Sequence, residues 1–134
     1  AMDRLVEIHA AIPNTHLVMH GSSTVPQNLQ DMINENGGAM KQTYGVPVEE
    51  IVKGIKVGVR KVNIDTDNRM AITAAIRKVF QESPEAFDPR KYLTPAMTAM
   101  TEVCMLRYEA FNTAGQAGKI KAISLADMAA SYSS

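Results

Sequence analysis

Apolar residues recur along this chain with two different periods. Over residues 2–11, Leu5 and Ile8, continued by Ile12, lie three and four apart while Asp3, Arg4 and Glu7 stand off that face, which predicts an amphipathic helix. "IPNT" stops it, because Pro13 disfavours helix at the residue before it and Asn14 favours a turn. "HLVMH", residues 16–20, then predicts a short buried strand ending at Gly21. Residues 26–36 return to a helical pattern, with Pro26 in the first turn and Gly37-Gly38 as the stop. "MKQTYGVP" predicts a loop containing two further breakers, Gly45 and Pro47.

"PVEEIVKGI" predicts a short helix, with proline and acids at its start and Lys53 and Lys56 late. "VRKVNID" predicts a second strand, in which Val62 and Ile64 share one face and Lys61, Asn63 and Asp65 the other. A strong helix is expected over 68–81, offering Met70, Ile72, Ala75, Ile76 and Val79 for its apolar face. "ESPEAFDPRKYLTP" predicts a loop, followed by a long helix over about 95–112 and a mixed tail after Gly115. Met97, Met100, Val103, Cys104 and Ala110 supply that helix with an apolar face, for core packing or for contact between subunits.

Short apolar strands separated by helices predict parallel β/α units, hence the α/β class. Two strands are too few for a parallel sheet buried on both faces. No internal repeat supplies more, so the pattern predicts the end of a larger α/β domain, entered midway.

Composition adds limits. The 134 residues suffice for one ordinary domain. Fourteen basic residues balance fourteen acidic ones, so no overall field favours nucleic acid or an anionic membrane. No apolar run reaches membrane-spanning length, and no signal peptide is visible. The single cysteine, Cys104, fits a reducing compartment and a packing role, and the expected location is the cytoplasm. Nine methionines against three phenylalanines and no tryptophan predict an aliphatic, methionine-filled core.

Two stretches carry candidate chemistry. In the first, His16 and His20 are four apart. On a strand that is roughly 13 Å, at about 3.3 Å per residue, too far for both to grip one metal ion. His20 is the better ligand candidate, because it ends the strand where α/β folds place their sites. Spacing alone leaves it open between a metal ligand and an ordinary hydrogen-bonded histidine. His9, near a helix C-terminus, fits a favourable helix-end residue. Gly21 permits close approach to backbone amides, and Ser22 and Ser23 add hydroxyls.

In the second stretch, "NIDTDNR" runs from a strand into a helix. Thr66 or Asp67 would cap that helix, whose N-terminus suits a phosphate, and Arg69 would add charge. Asp65 and Asp67 would repel an anion unless one caps the helix while the other meets a substrate hydroxyl. A capped helix without a ligand fits the same residues. Arg90, in "FDPRK", matters only if the fold brings it near Arg69.

"HLVMHGSS", with "GVRKVNIDTDNRMAITAAIRK" some forty residues later and then "FDPRKYL", resembles class II fructose-1,6-bisphosphate aldolase. The approach "PVEEIVKGIKVGVRKVNIDTD" and the tail "AGKIKAISLADMA" resemble the bacterial branch associated with the Calvin cycle. The resemblance implies a zinc-dependent (β/α)8 TIM barrel. Residues 1–134 would be its C-terminal segment: strands 7 and 8, their helices and a helical extension, with strands 1–6 absent.

Residue by residue, it implies zinc at His20 and a monovalent cation, Na+ or K+, at the Gly21 carbonyl. Gly21, Ser22 and Ser23 would hold the phosphate of dihydroxyacetone phosphate. Asn63 would act on the substrate beside the zinc, and Asp65 and Thr66 would lie at the same phosphate and its neighbouring hydroxyls. Arg69 and Arg90 would serve the other phosphate; whether Arg90 acts in its own or a neighbouring subunit's site stays open. Lys61 matches a family lysine without a defined role.

The expected reaction is reversible cleavage of fructose 1,6-bisphosphate, in a homodimer or homotetramer. The remaining zinc histidines and proton-transferring carboxylate would come from the N-terminal part of the enzyme, so the chain alone would be inactive. Tagatose-bisphosphate aldolase, activity on sedoheptulose 1,7-bisphosphate, and a non-catalytic phosphate-binding module are the competing expectations.

Overall fold

The computed structural model describes residues 2–132. Its elements are α1 (Met2–Ala11), β1 (Leu17–Met19), α2 (Gln27–Glu35), α3 (Val48–Lys56), β2 (Val59–Val62), α4 (Thr66–Glu82), α5 (Pro89–Ala110), a 3-10 turn (Ala117–Lys119) and α6 (Leu125–Ser131). β1 and β2 pair in parallel, with α2 and α3 in the crossover between them. Leu17 pairs with Val59, Val18 with Lys61 and Met19 with Val62, so Arg60 is an extra residue on β2, a bulge. The Asn63 amide donates to the Met19 carbonyl at 3.1 Å, which brings the two chain segments leaving the strands together.

Val25, Ile33, Met70 and Ala74 form one buried cluster, with Leu29, Met32 and Met40 packed against it. Unbranched methionine suits such an irregular margin. Ile51 and Val59 are also buried, where α3 meets β2. None of the described helices is long and apolar enough to cross a membrane.

Three expectations change. The buried face of α4 is Asp67, Met70, Ala71 and Ala74, not the branched residues Ile72, Ile76 and Val79, which are half-buried. Alanines let α5 approach closely, and α4 against α5 is the most extensive helix contact. α5 begins at Pro89, six residues before the expected start. Asp88 caps it by accepting the Arg90 amide at 3.0 Å, and Pro95 lies inside the helix, where it withholds one backbone donor. Cys104 is half-buried, its Sγ 3.7 Å from the Asn68 Oδ1, rather than enclosed in the core.

α1 follows the expected span, yet none of its residues is buried; Ile8 and Ile12 are exposed. β1 is likewise less buried than expected, with Val18 48% exposed. His9 reaches Gly58 at the start of β2, and its Nδ1 is buried without a hydrogen-bond partner among the described residues.

Candidate active site

The two strands deliver their C-terminal ends side by side. His20 follows β1 and Asn63 follows β2, and His20 Nδ1 lies 2.8 Å from Asn63 Nδ2. Lys61, two residues back on the same face of β2, donates to Asn63 Oδ1 at 2.5 Å. Lysine is only a donor, so it turns the amide oxygen toward itself and the NH2 toward the imidazole. The Asn63 amide thus faces the His20 imidazole at Nδ1, with donor and acceptor roles that follow the ring's tautomer. His16 stands at the opposite end of β1, so the structure separates the two histidines as the strand spacing predicts.

The loop after His20 is held from three sides. Gly21 is exposed with φ +62°, a left-handed conformation that a side chain would strain. Ser22 is fully buried, and its hydroxyl bonds the Asn63 carbonyl at 2.8 Å and the Met19 carbonyl at 3.2 Å. Its side chain is thus a tie beneath the site, not the substrate contact expected of it. Ser23 is half-buried, and its Oγ accepts the Thr66 amide at 3.3 Å, giving the first turn of α4 a cap from another segment. Gly45 supports this loop from below. The Val46 amide donates to the Ser23 carbonyl at 3.0 Å, and a Cβ on Gly45 would overlap the backbone of Ser23 and Thr24.

Neither expected cap of α4 acts as one. Asp65 occupies the cap position without a side-chain cap bond. Asp67 is fully buried and turned to the loop: it accepts the Thr24 amide at 2.8 Å, the Val25 amide at 2.9 Å and the Thr24 hydroxyl at 2.7 Å. Arg107, from α5, donates to Thr24 Oγ1 at 2.6 Å and to Asp67 Oδ2 at 3.2 Å. A buried, fully engaged carboxylate has no bond left for a substrate hydroxyl, so that expectation falls to Asp65 alone. Sequence reading missed Arg107 and the packing role of Gly45. No periodicity connects α5 to a loop more than eighty residues earlier.

Asp65 pairs with Arg69 one turn on, at 2.7 Å, both side chains largely exposed. Arg90 pairs with Asp88 at 2.6 Å. The Arg90 side chain, then its amide, hold the Asp88 carboxyl below its ordinary value, and Asp88 in turn raises Arg90. Arg69 and Arg90 do not meet. Arg107 reaches the start of α4, while Tyr92 stacks near Phe80 at the other end, so α5 runs antiparallel to α4. Phe80, where Tyr92 meets α4, is roughly 16 Å along the helix from Arg69 at 1.5 Å per residue, so Arg90, two residues before Tyr92, lies toward the far end of α4.

His20, Asn63, Gly21, Ser23, Asp65, Thr66 and Arg69 therefore gather at one end of the sheet. The gathering offers one imidazole, an amide, a hydroxyl, a helix N-terminus and a cation, a set suited to a phosphorylated ligand. Among the described residues, no three His, Cys, Asp or Glu side chains converge on a metal position. The residues present fit one ligand of a zinc ion, not a complete site.

The family model for fructose-bisphosphate aldolase class-II matches residues 1–116. The chain is 64% identical to fructose-bisphosphate aldolase 2 of Cereibacter sphaeroides over all 134 of its residues, which is 38% of that protein. It is 64% identical to a fructose-bisphosphate aldolase of Nostoc commune over 98% of the chain and 37% of the relative. A fructose-bisphosphate aldolase of Pseudomonas aeruginosa is 61% identical over the same shares. The chain thus spans under two fifths of the length of these relatives. With the family model covering most of its length and the motif residues gathered at one end of the sheet, the chain belongs to the class II fructose-bisphosphate aldolase family.

Proposed function

We propose that this chain is the C-terminal part of a zinc-dependent fructose-bisphosphate aldolase, and that β1 and β2 are strands 7 and 8 of its (β/α)8 barrel. The exposed β1 and the uncovered apolar face of α1 support neighbouring strands and helices supplied by an N-terminal part. The reaction is reversible cleavage of fructose 1,6-bisphosphate to dihydroxyacetone phosphate and glyceraldehyde 3-phosphate. The observation that carries this reading is the 2.8 Å contact of His20 with Asn63 beside the Ser23–Thr66 contact, both joining segments more than forty residues apart.

His20 supplies one zinc ligand, and the N-terminal part supplies the others. When bound, zinc stabilises the negative charge that cleavage leaves on the three-carbon ketone. Asn63, held by Lys61, presents its amide to the substrate beside His20. Gly21, Ser23 and Thr66 hold one phosphate at the positive end of α4. The Gly21 carbonyl would be a ligand to a monovalent cation. Asp65 takes a substrate hydroxyl, and Arg69, shared between Asp65 and the second phosphate, fixes the other end of the substrate. Holding both ends aligns the scissile bond. Arg90, remote from this end of α4, serves the site of a neighbouring subunit in a homodimer or homotetramer. The reading includes a cytoplasmic location and neither nucleic-acid nor membrane binding.

The test is cleavage of fructose 1,6-bisphosphate by the chain alone and by the chain with the N-terminal part of the enzyme. Activity only in the second sample, lost to a chelator and restored by zinc, is expected. Activity indifferent to chelation, or none in the complete protein, overturns the reading. Tagatose 1,6-bisphosphate and sedoheptulose 1,7-bisphosphate, assayed alongside, decide substrate preference.

A further inference from the structure

We propose that Arg107 is a positioning residue for the phosphate-binding loop, through which the α5 extension sets the shape of the site. The proposal rests on the aldolase reading above. Arg107 touches none of the residues assigned to substrate. It holds Thr24, the residue after Ser23, at 2.6 Å, and Asp67 at 3.2 Å. Asp67 in turn grips the amides of Thr24 and Val25. Its carboxylate is fully buried, and Arg107 is the only cation within salt-bridge distance of it among the described residues.

The grip acts where the backbone is unwilling. Val25 has φ +50°, outside the region that β-branched residues normally adopt. Such a conformation persists only when its surroundings enforce it. Without Arg107, Asp67 is a buried charge without a counter-ion, which favours its withdrawal or solvation. Thr24 and Val25 then lose their acceptor, and the chain relaxes toward negative φ. Ser23, one residue earlier, turns with it, away from the Thr66 amide.

The experiment uses the complete enzyme, as wild type and with Arg107→Met, Arg107→Lys and Thr24→Val. Methionine keeps much of the stem and removes the charge. We expect Arg107→Met to raise KM for fructose 1,6-bisphosphate and the inhibition constant of inorganic phosphate on the order of tenfold, inside the hundredfold that a 1 Å misplacement can cost. Zinc content stays unchanged, and Arg107→Lys recovers part of the loss. Unchanged KM and phosphate inhibition, measured well below the melting temperature, overturn the proposal even if that temperature falls. Should Arg107→Met not fold, Thr24→Val decides by the same readouts: a rise in both constants sustains the proposal and unchanged constants overturn it. An inactive wild-type enzyme would instead sink the aldolase reading.

Discussion

Asp65 and Asp67 stand two residues apart at the start of α4, each paired with an arginine, in opposite surroundings. Asp65 and Arg69 are 70% and 77% exposed, and their pair closes one helical turn. Asp67 and Arg107 are 0% and 16% exposed, and their pair closes a loop across forty residues. The exposed pair is screened, and a ligand can reach its arginine. The buried pair reaches no ligand and dictates backbone shape. The same contrast divides the site into two layers. Ser22, Asp67 and Arg107 lie beneath it with their hydrogen bonds turned inward, while His20, Asn63, Asp65 and Arg69 face outward above them.

If the layers are distinct, substitutions below should act on stability and those above on activity. Asp67→Ala leaves Arg107 without its counter-ion and two loop amides without their acceptor, and should cost about 3–5 kcal/mol of unfolding free energy, read by denaturant titration. His20→Ala should lower cleavage by more than the roughly 10–100-fold typical of outer-sphere partners, with zinc content reduced and the melting temperature held. A large stability loss at His20 would break the comparison. Ser22→Ala removes the tie to the Asn63 and Met19 carbonyls and should cost about 1–3 kcal/mol. Asp65→Ala should change stability by only about 0.3–0.5 kcal/mol, while raising KM for the bisphosphate.

The smallest effect belongs to Asp88 and Arg90. Because Arg90 lowers the Asp88 pKa, the contribution of Asp88 is complete above its ordinary value of 3.8 and is lost as pH falls through the lower folded value. Asp88→Asn should therefore abolish that acid limb, so that its difference from wild type, followed by circular dichroism, fades as pH falls. At neutral pH the substitution lowers stability by a pH-independent amount.

What could be read in the sequence was local. Helix and strand order followed from spacing, and the strand reading correctly separated His16 from His20. That His20 ends the first strand and Asn63 lies at the end of the second could be read from spacing, but their side-chain contact could not. The start of α5 was not, because Pro89 and Pro95 are both acceptable first residues and only the Asp88 cap chooses between them. Nor could spacing tell Ser22 from Ser23, since which hydroxyl turns inward depends on the crossing of the two strands. Asp67 looked like a cap because caps are the commonest use of aspartate at that place. Its burial depends on an arginine forty residues later in the chain, a contact without any local signature.

Val25 serves two masters. Its side chain, 6% exposed, is part of the cluster with Ile33, Met70 and Ala74, while its backbone takes the left-handed turn that lets Asp67 hold the loop. Glycine would suit the turn and empty the cluster; a larger aliphatic residue would fill the cluster and keep the strain. Evolution therefore has little room to adjust the loop independently of the core at this position, and on the aldolase reading changes that retune the proposed phosphate site are expected at Thr24, whose half-buried side chain lies outside the cluster.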